Sequence, residues 1–179
     1  MAGAIVWMTG MSGAGKTTLA EALGQSLKRS GRPVEILDGD RIRHDFWAEL
    51  GYSKADRDAN VRRLGLLAKL LAKHDITVIV AAISPYRAVR DEVRRQQVAA
   101  FIEVFVDCPI DVLRARDPKG LYERALRGEI KEFTGISAPY EPPVNPECRL
   151  RTNIQSIDQC VASVVDTLRA IERQATESA

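Results

Sequence analysis

The sequence predicts an α/β fold: a parallel five-stranded sheet between two layers of helices, carried by a single domain over 1–179. Three observations point there. Apolar runs of strand length recur along the chain, and they alternate with stretches of helical spacing. The length of 179 residues suits one domain. An apolar content of 45% is enough for a substantial core.

The first strand is read at "AIVWMT", 4–9, in preference to a signal peptide, because no basic leader precedes it. The others are "VEIL" (34–37), "ITVIVAA" (76–82), "FIEVFVD" (101–107) and a weaker "CRLRT" (148–152). A helix is expected at 54–74, with Val61, Leu64, Ala68 and Leu71 on one face and Ser53 as its N-cap. The last helix, near 156–173, carries Val161, Val164, Leu168 and Ile171 in the same way. Residues 117–147 break the pattern, with charge, glycine and proline around one short helical piece at 120–127. A segment this long inside a domain reads as a mobile lid, in preference to a disordered insertion.

Composition narrows the function. A net charge of +2 gives no reason to expect a nucleic-acid partner, and no stretch approaches a membrane span. Three cysteines, Cys108, Cys148 and Cys160, show no paired spacing, which suits reduced thiols in a cytoplasmic protein. Two histidines with no nearby Cys cluster argue against zinc.

The chemistry begins at "GMSGAGKT", residues 10–17, which fits G-x-x-x-x-G-K-[ST] between a strand and a helix. This is a P-loop, so the sandwich is of the P-loop NTPase type. Gly10, Gly13 and Gly15 let backbone N–H groups turn toward phosphate oxygens, with Ser12, Ala14 and Thr18 completing the cradle. The helix N-terminus adds partial positive charge. Lys16 reaches the β- and γ-phosphates of ATP, and Thr17 can hold Mg²⁺. The N-K-x-D element of switch GTPases is absent. The size favours a small-molecule kinase.

"ILDGDRIR", 36–43, ends the second strand beside that loop. A carboxylate there can hold Mg²⁺ or accept the proton of an attacking hydroxyl. Asp40 is assigned to the acceptor side and Asp38 to the loop or metal; the competing reading is a solvated Asp-Gly turn. Arg43 follows on the same side as Asp40 and suggests an anionic acceptor. "DRDAN" puts Arg57 and Asn60 on one face near a helix N-terminus, where an anion and a ring can be held. "ISPYR", 83–87, brings Ser84 to the same sheet edge, with a chemical role and a helix cap before Pro85 equally open.

These residues, together with "GYSKADRDANVRR", "ISPYRAVRDEVR", "EVFVDCPIDV", "RDPKGLYERALRGEIKEFTGI" and "PYEPPVNPE", resemble the adenylylsulfate kinase family from about residue 4 to 152. The stretch "KGLYERALRGEIKEFTGI" is the most specific. The resemblance implies transfer of the ATP γ-phosphate to the 3′-hydroxyl of adenosine 5′-phosphosulfate, with Mg²⁺. It implies acceptor contacts from Asp40, Arg43, Tyr52, Arg57, Asn60, Ile83, Ser84, Lys119, Glu132 and Phe133. Tyr52 and Phe133 would sandwich the substrate adenine. Arg116 would help hold the ATP base, with the loop after Thr152 as its other wall. Ser84 falls at the family's phosphoserine position, although a P-loop kinase does not need a covalent intermediate. Glu132 stands where the family usually has glycine. A homodimer and a functional link to an ATP sulfurylase are further expectations. The competing functions are a gluconate-type sugar kinase and a non-catalytic nucleotide-binding module.

Overall fold

A computed structural model describes residues 2–177. In chain order the elements are β1 (Ala4–Thr9), α1 (Lys16–Arg29), β2 (Val34–Asp38), α2 (Gly39–Phe46), α3 (Lys54–Ala72) and β3 (Thr77–Ala81). Then come α4 (Arg87–Arg95), β4 (Ala100–Asp107), α5 (Ile110–Arg116), α6 (Leu121–Leu126), β5 (Cys148–Arg151) and α7 (Ile157–Glu177). The strands form one sheet, all parallel, in the order β2-β3-β1-β4-β5.

The central strand β1 shows how the sequence builds three layers. Successive side chains point to opposite faces. Ala4, Val6 and Met8 enter the core with Leu19 and Leu23 of α1 and Val164 and Leu168 of α7. Ile5 and Trp7 enter the core with Val61 and Leu64 of α3 and Val89 and Val93 of α4. Helices cover both faces, so β1 and β3 are buried along their whole length. A strand buried on both sides reads as an unbroken apolar run, and that is why these two strands are visible in the sequence.

The N-cap of α3 is Ser53, whose Oγ accepts from the Asp56 amide at 3.2 Å. The sequence reading gives no helix at 39–46, and the structure places α2 there. Asp38 Oδ1 accepts from the amides of Asp40 at 3.0 Å and Arg41 at 3.1 Å. An Asp-Gly pair that resembles a turn is here a helix cap.

The expected lid contains α6. Its far part, 139–147, has no regular structure and is fastened to the body. Glu141 N donates to Pro85 O at 2.8 Å, Arg90 Nη2 to Glu141 O at 2.8 Å, and Arg94 Nη1 to Glu147 Oε1 at 2.7 Å. The cysteines Cys108, Cys148 and Cys160 are buried and free. Among the described residues no helix is long and apolar enough to cross a membrane.

Candidate active site

Because all strands are parallel, their C-terminal ends open on one edge of the sheet, where ligands of α/β folds bind. The loop after β1 lies there. Gly10 is required by close approach: a Cβ would sit 2.4 Å from Val106 O on the neighbouring strand. Gly15, just before α1, has φ +99°, a conformation that suits glycine. Lys16 Nζ donates to Gly10 O and Met11 O, both at 2.8 Å. Burial pushes the Lys16 pKa down to about 8, while Asp40 and Asp38 pull it upward.

Asp38 ties this loop to β2. While its Oδ1 caps α2, its Oδ2 accepts from Thr17 Oγ1 at 2.7 Å. Asp40, one residue into α2, has an exposed carboxylate with Lys119 Nζ 3.7 Å from its Oδ2. Lys16, Thr17, Thr18, Asp38, Asp40 and Lys119 line a cavity of about 200 Å³ together with Ser12, Gly13, Gly15 and Ile83. Ala14 is buried below, and its carbonyl accepts from Thr152 Oγ1 at 2.9 Å. Arg116 Nη2 donates to Thr152 O at 3.1 Å, so the end of α5 abuts the loop after β5.

A second cavity, of about 610 Å³, adjoins the first and shares Ser12, Asp40 and Ile83 with it. Its walls include Arg43, Tyr52, Arg57, Arg124, Lys131, Glu132 and Phe133. Four basic side chains against Asp40 and Glu132 leave an excess of positive charge, suited to an anionic ligand. The Arg43 guanidinium lies 4.5 Å above the Tyr52 ring. Arg57 Nε donates to Tyr52 O at 2.7 Å, and its two Nη groups reach Thr134 Oγ1 and Glu132 O. Desolvation lowers the Arg57 pKa. Arg57 therefore fastens the segment around Glu132 and Thr134 to α3 as well as facing the cavity.

Several expectations need correction. Ser84 is 3% exposed and lines neither cavity. Its Oγ accepts from Trp7 Nε1 at 3.1 Å and donates to Ala82 O at 3.3 Å. It is not a helix cap either, since α4 starts at Arg87 with Tyr86 at its cap position. Asn60 also lines neither cavity; its Oδ1 is buried without a hydrogen-bond partner. Tyr52 and Phe133 share the second cavity, but Tyr52 faces Arg43 and Phe133 packs edge-on against Tyr122, centroids 5.0 Å apart. Glu132 has φ +53°, the left-handed region where glycine is favoured.

Sequence reasoning missed three residues that shape this site. Tyr122 donates its hydroxyl to Ser12 O at 2.8 Å. Arg90, buried on α4, donates to Ser84 O at 2.7 Å and to Glu103 Oε1 at 2.7 Å. Thr9 Oγ1 donates to Ile83 O at 2.8 Å and meets Tyr140 Oη at 3.0 Å. The only sequence signal for Arg90 is a charge between the apolar positions Val89 and Val93 of an amphipathic helix.

Comparison with known proteins identifies the family. The adenylylsulphate kinase family profile matches residues 2–151. An adenylyl-sulfate kinase of Synechococcus sp. (strain JA-3-3Ab) is 55% identical over 94% of this chain and 95% of its own length. One of Chloroflexus aurantiacus is 53% identical over 95% and 91%. Among solved structures, the Mycobacterium tuberculosis APS kinase in complex with AMPPNP and APS superposes with a TM-score of 0.89 at 44% identity. That match covers 94% of this chain and 98% of the other.

Proposed function

This chain belongs to the adenylylsulphate kinase family and is an ATP-dependent adenylyl-sulfate kinase, and from that premise we propose how its residues carry the reaction. The enzyme transfers the γ-phosphate of ATP to the 3′-hydroxyl of adenosine 5′-phosphosulfate, giving 3′-phosphoadenylyl sulfate and ADP. The observation that supports our site assignment is the pair of adjoining cavities that meet at Ser12, Asp40 and Ile83. ATP phosphates occupy the cradle of Gly10 to Thr18, with Arg116 and the loop after Thr152 beside the base. Adenylyl sulfate occupies the larger cavity. Its anionic group meets Arg43 and Arg57, and its flat ring lies near Tyr52 and Phe133.

Asp40 stands at the junction. It accepts the proton of the 3′-hydroxyl as that oxygen bonds to the γ-phosphorus and the bond to the β–γ bridging oxygen breaks. Lys16 holds the phosphates, and Lys119 keeps Asp40 oriented. Thr17 and Asp38 present a hydroxyl and a carboxylate 2.7 Å apart in the phosphate cavity, hard oxygen donors that fit magnesium. When bound there, Mg²⁺ neutralises charge on the transferring phosphates. Ser84 takes no covalent part, because its hydroxyl is buried between Trp7 and Ala82. Transfer is direct.

We also assign the chain to one kinase domain working in the cytoplasm as a homodimer, which suits its three free buried cysteines as regards compartment. Its acceptor has to come from an enzyme joining sulfate to an adenylyl group, the work of an ATP sulfurylase.

An acceptor panel with Mg-ATP and an ADP readout tests the reading. ADP should form with adenylyl sulfate and not with gluconate-type sugar acids. Turnover confined to a sugar acid would overturn it. Binding without turnover across the panel would point to a non-catalytic module.

A further inference from the structure

Tyr122 lines neither cavity, yet it touches a wall of each. Its hydroxyl donates to the carbonyl of Ser12, a residue common to both cavities. Its ring meets the edge of Phe133, a wall of the acceptor cavity, at 5.0 Å. Tyr122 is 2% exposed, so its ring is packed away from solvent. Its backbone is fixed too: Asp117 accepts from Tyr122 N at 3.1 Å and from Glu123 N at 3.0 Å. Burial pushes the Tyr122 pKa up to about 12, so the hydroxyl stays protonated and remains a donor. A ring pinned at the backbone is thus bonded to the phosphate loop at one end and packed on the acceptor wall at the other.

We propose that Tyr122 is a positioning residue that couples the two substrate sites, so that nucleotide seated on the phosphate loop sets Phe133 for the acceptor. This rests on the assignment of ATP to the first cavity and adenylyl sulfate to the second. The coupling is a free energy shared by the two ligands, so each must tighten the other by the same factor. The hydrogen bond to the Ser12 carbonyl is the part of this linkage that one substitution can remove. Tyr122→Phe deletes one oxygen and keeps the ring.

The test titrates AMPPNP with Mg²⁺ and adenylyl sulfate, each alone and each in the presence of the other. In the wild-type enzyme each ligand should tighten the other. In Tyr122→Phe the affinity for each ligand alone should stay within about twofold, while the coupling factor falls by about two- to tenfold, equally from either side. Unchanged coupling in the variant, or none in the wild type, would overturn the proposal. So would parallel loss of both separate affinities with coupling intact, which is what a merely structural tyrosine would give. Phe133→Leu removes the ring contact at the other end and should also lower the coupling. Should Tyr122→Phe fail to fold, retained coupling in Phe133→Leu overturns the proposal. Wild-type turnover with adenylyl sulfate is measured alongside. Its absence would refute the site assignment, whereas normal turnover without a Tyr122 effect refutes only the coupling.

Discussion

The indole Nε1 of Trp7 donates to Ser84 Oγ at 3.1 Å, in the core between β1 and the turn that follows β3. Ser84 has φ +40°, and its carbonyl is held by Arg90. This serine supports a turn. Ile83 beside it lines both cavities, and the Ser84 hydroxyl does not.

Ser84→Ala should therefore keep turnover within about tenfold of wild type, while leaving the Trp7 N–H unpaired. An unpaired buried donor costs about 1–3 kcal/mol of stability. Urea unfolding and steady-state rates on the same preparation check both halves. A stable but inactive variant would return the hydroxyl to the chemistry.

Lys16→Ala should remove most activity while leaving the fold intact, because the proposed mechanism gives its ammonium the task of stabilising charge on the transferring group. Such a role is worth about 3–4 kcal/mol. The lowered pKa adds a pH signature. Below about 8 the side chain of the free enzyme is charged and binds phosphate, and above it the charge is lost. The kcat/KM for ATP, which reports the free enzyme, should fall as pH rises through that value. Near-normal turnover of a folded Lys16→Ala would contradict the phosphate assignment.

Asp40→Asn keeps the shape of the side chain but cannot take a proton. Its kcat should fall by about 10²–10⁴-fold, with a smaller rise in KM for adenylyl sulfate. An effect confined to KM would make Asp40 a binding residue only.

Arg57→Ala should weaken adenylyl sulfate much more than ATP. A charge-assisted bond is lost, worth about 1.5–3 kcal/mol. Because Arg57 also holds Glu132 O and Thr134 Oγ1, the segment next to Phe133 should loosen, visible as faster amide exchange there. Equal weakening of both substrates would place Arg57 elsewhere.

The sequence revealed the inner strands β1 and β3 because they are buried on both faces, and it revealed the phosphate loop because glycine and lysine at fixed spacing have few other uses. Asp38, Asp40 and Arg43 were legible from their position after a strand. Other features depend on partners far along the chain. The hydroxyl of Tyr122 meets a carbonyl 110 residues away, and Trp7 meets Ser84 across 77. No local pattern encodes such pairs. Helix α2 was missed because Asp-Gly serves turns and helix starts alike, and only the two amides bonded to Asp38 decide between them. Glu132 is a mixed case. Its place where the family usually has glycine was visible, and its left-handed backbone explains the preference, since a side chain there costs about 1–2 kcal/mol.

In the proposed mechanism phosphate passes in one step from ATP to the acceptor hydroxyl across the junction at Asp40, and stereochemistry at phosphorus distinguishes this from a two-step route. ATP made chiral at the γ-phosphate is turned over with adenylyl sulfate, and the configuration of the 3′-phosphate in the product is determined. A single in-line displacement inverts the centre, and inversion is the predicted result. Retention would mean two displacements through a phosphoenzyme. Together with an inactive Ser84→Ala, it would contradict direct transfer and assign the intermediate to Ser84.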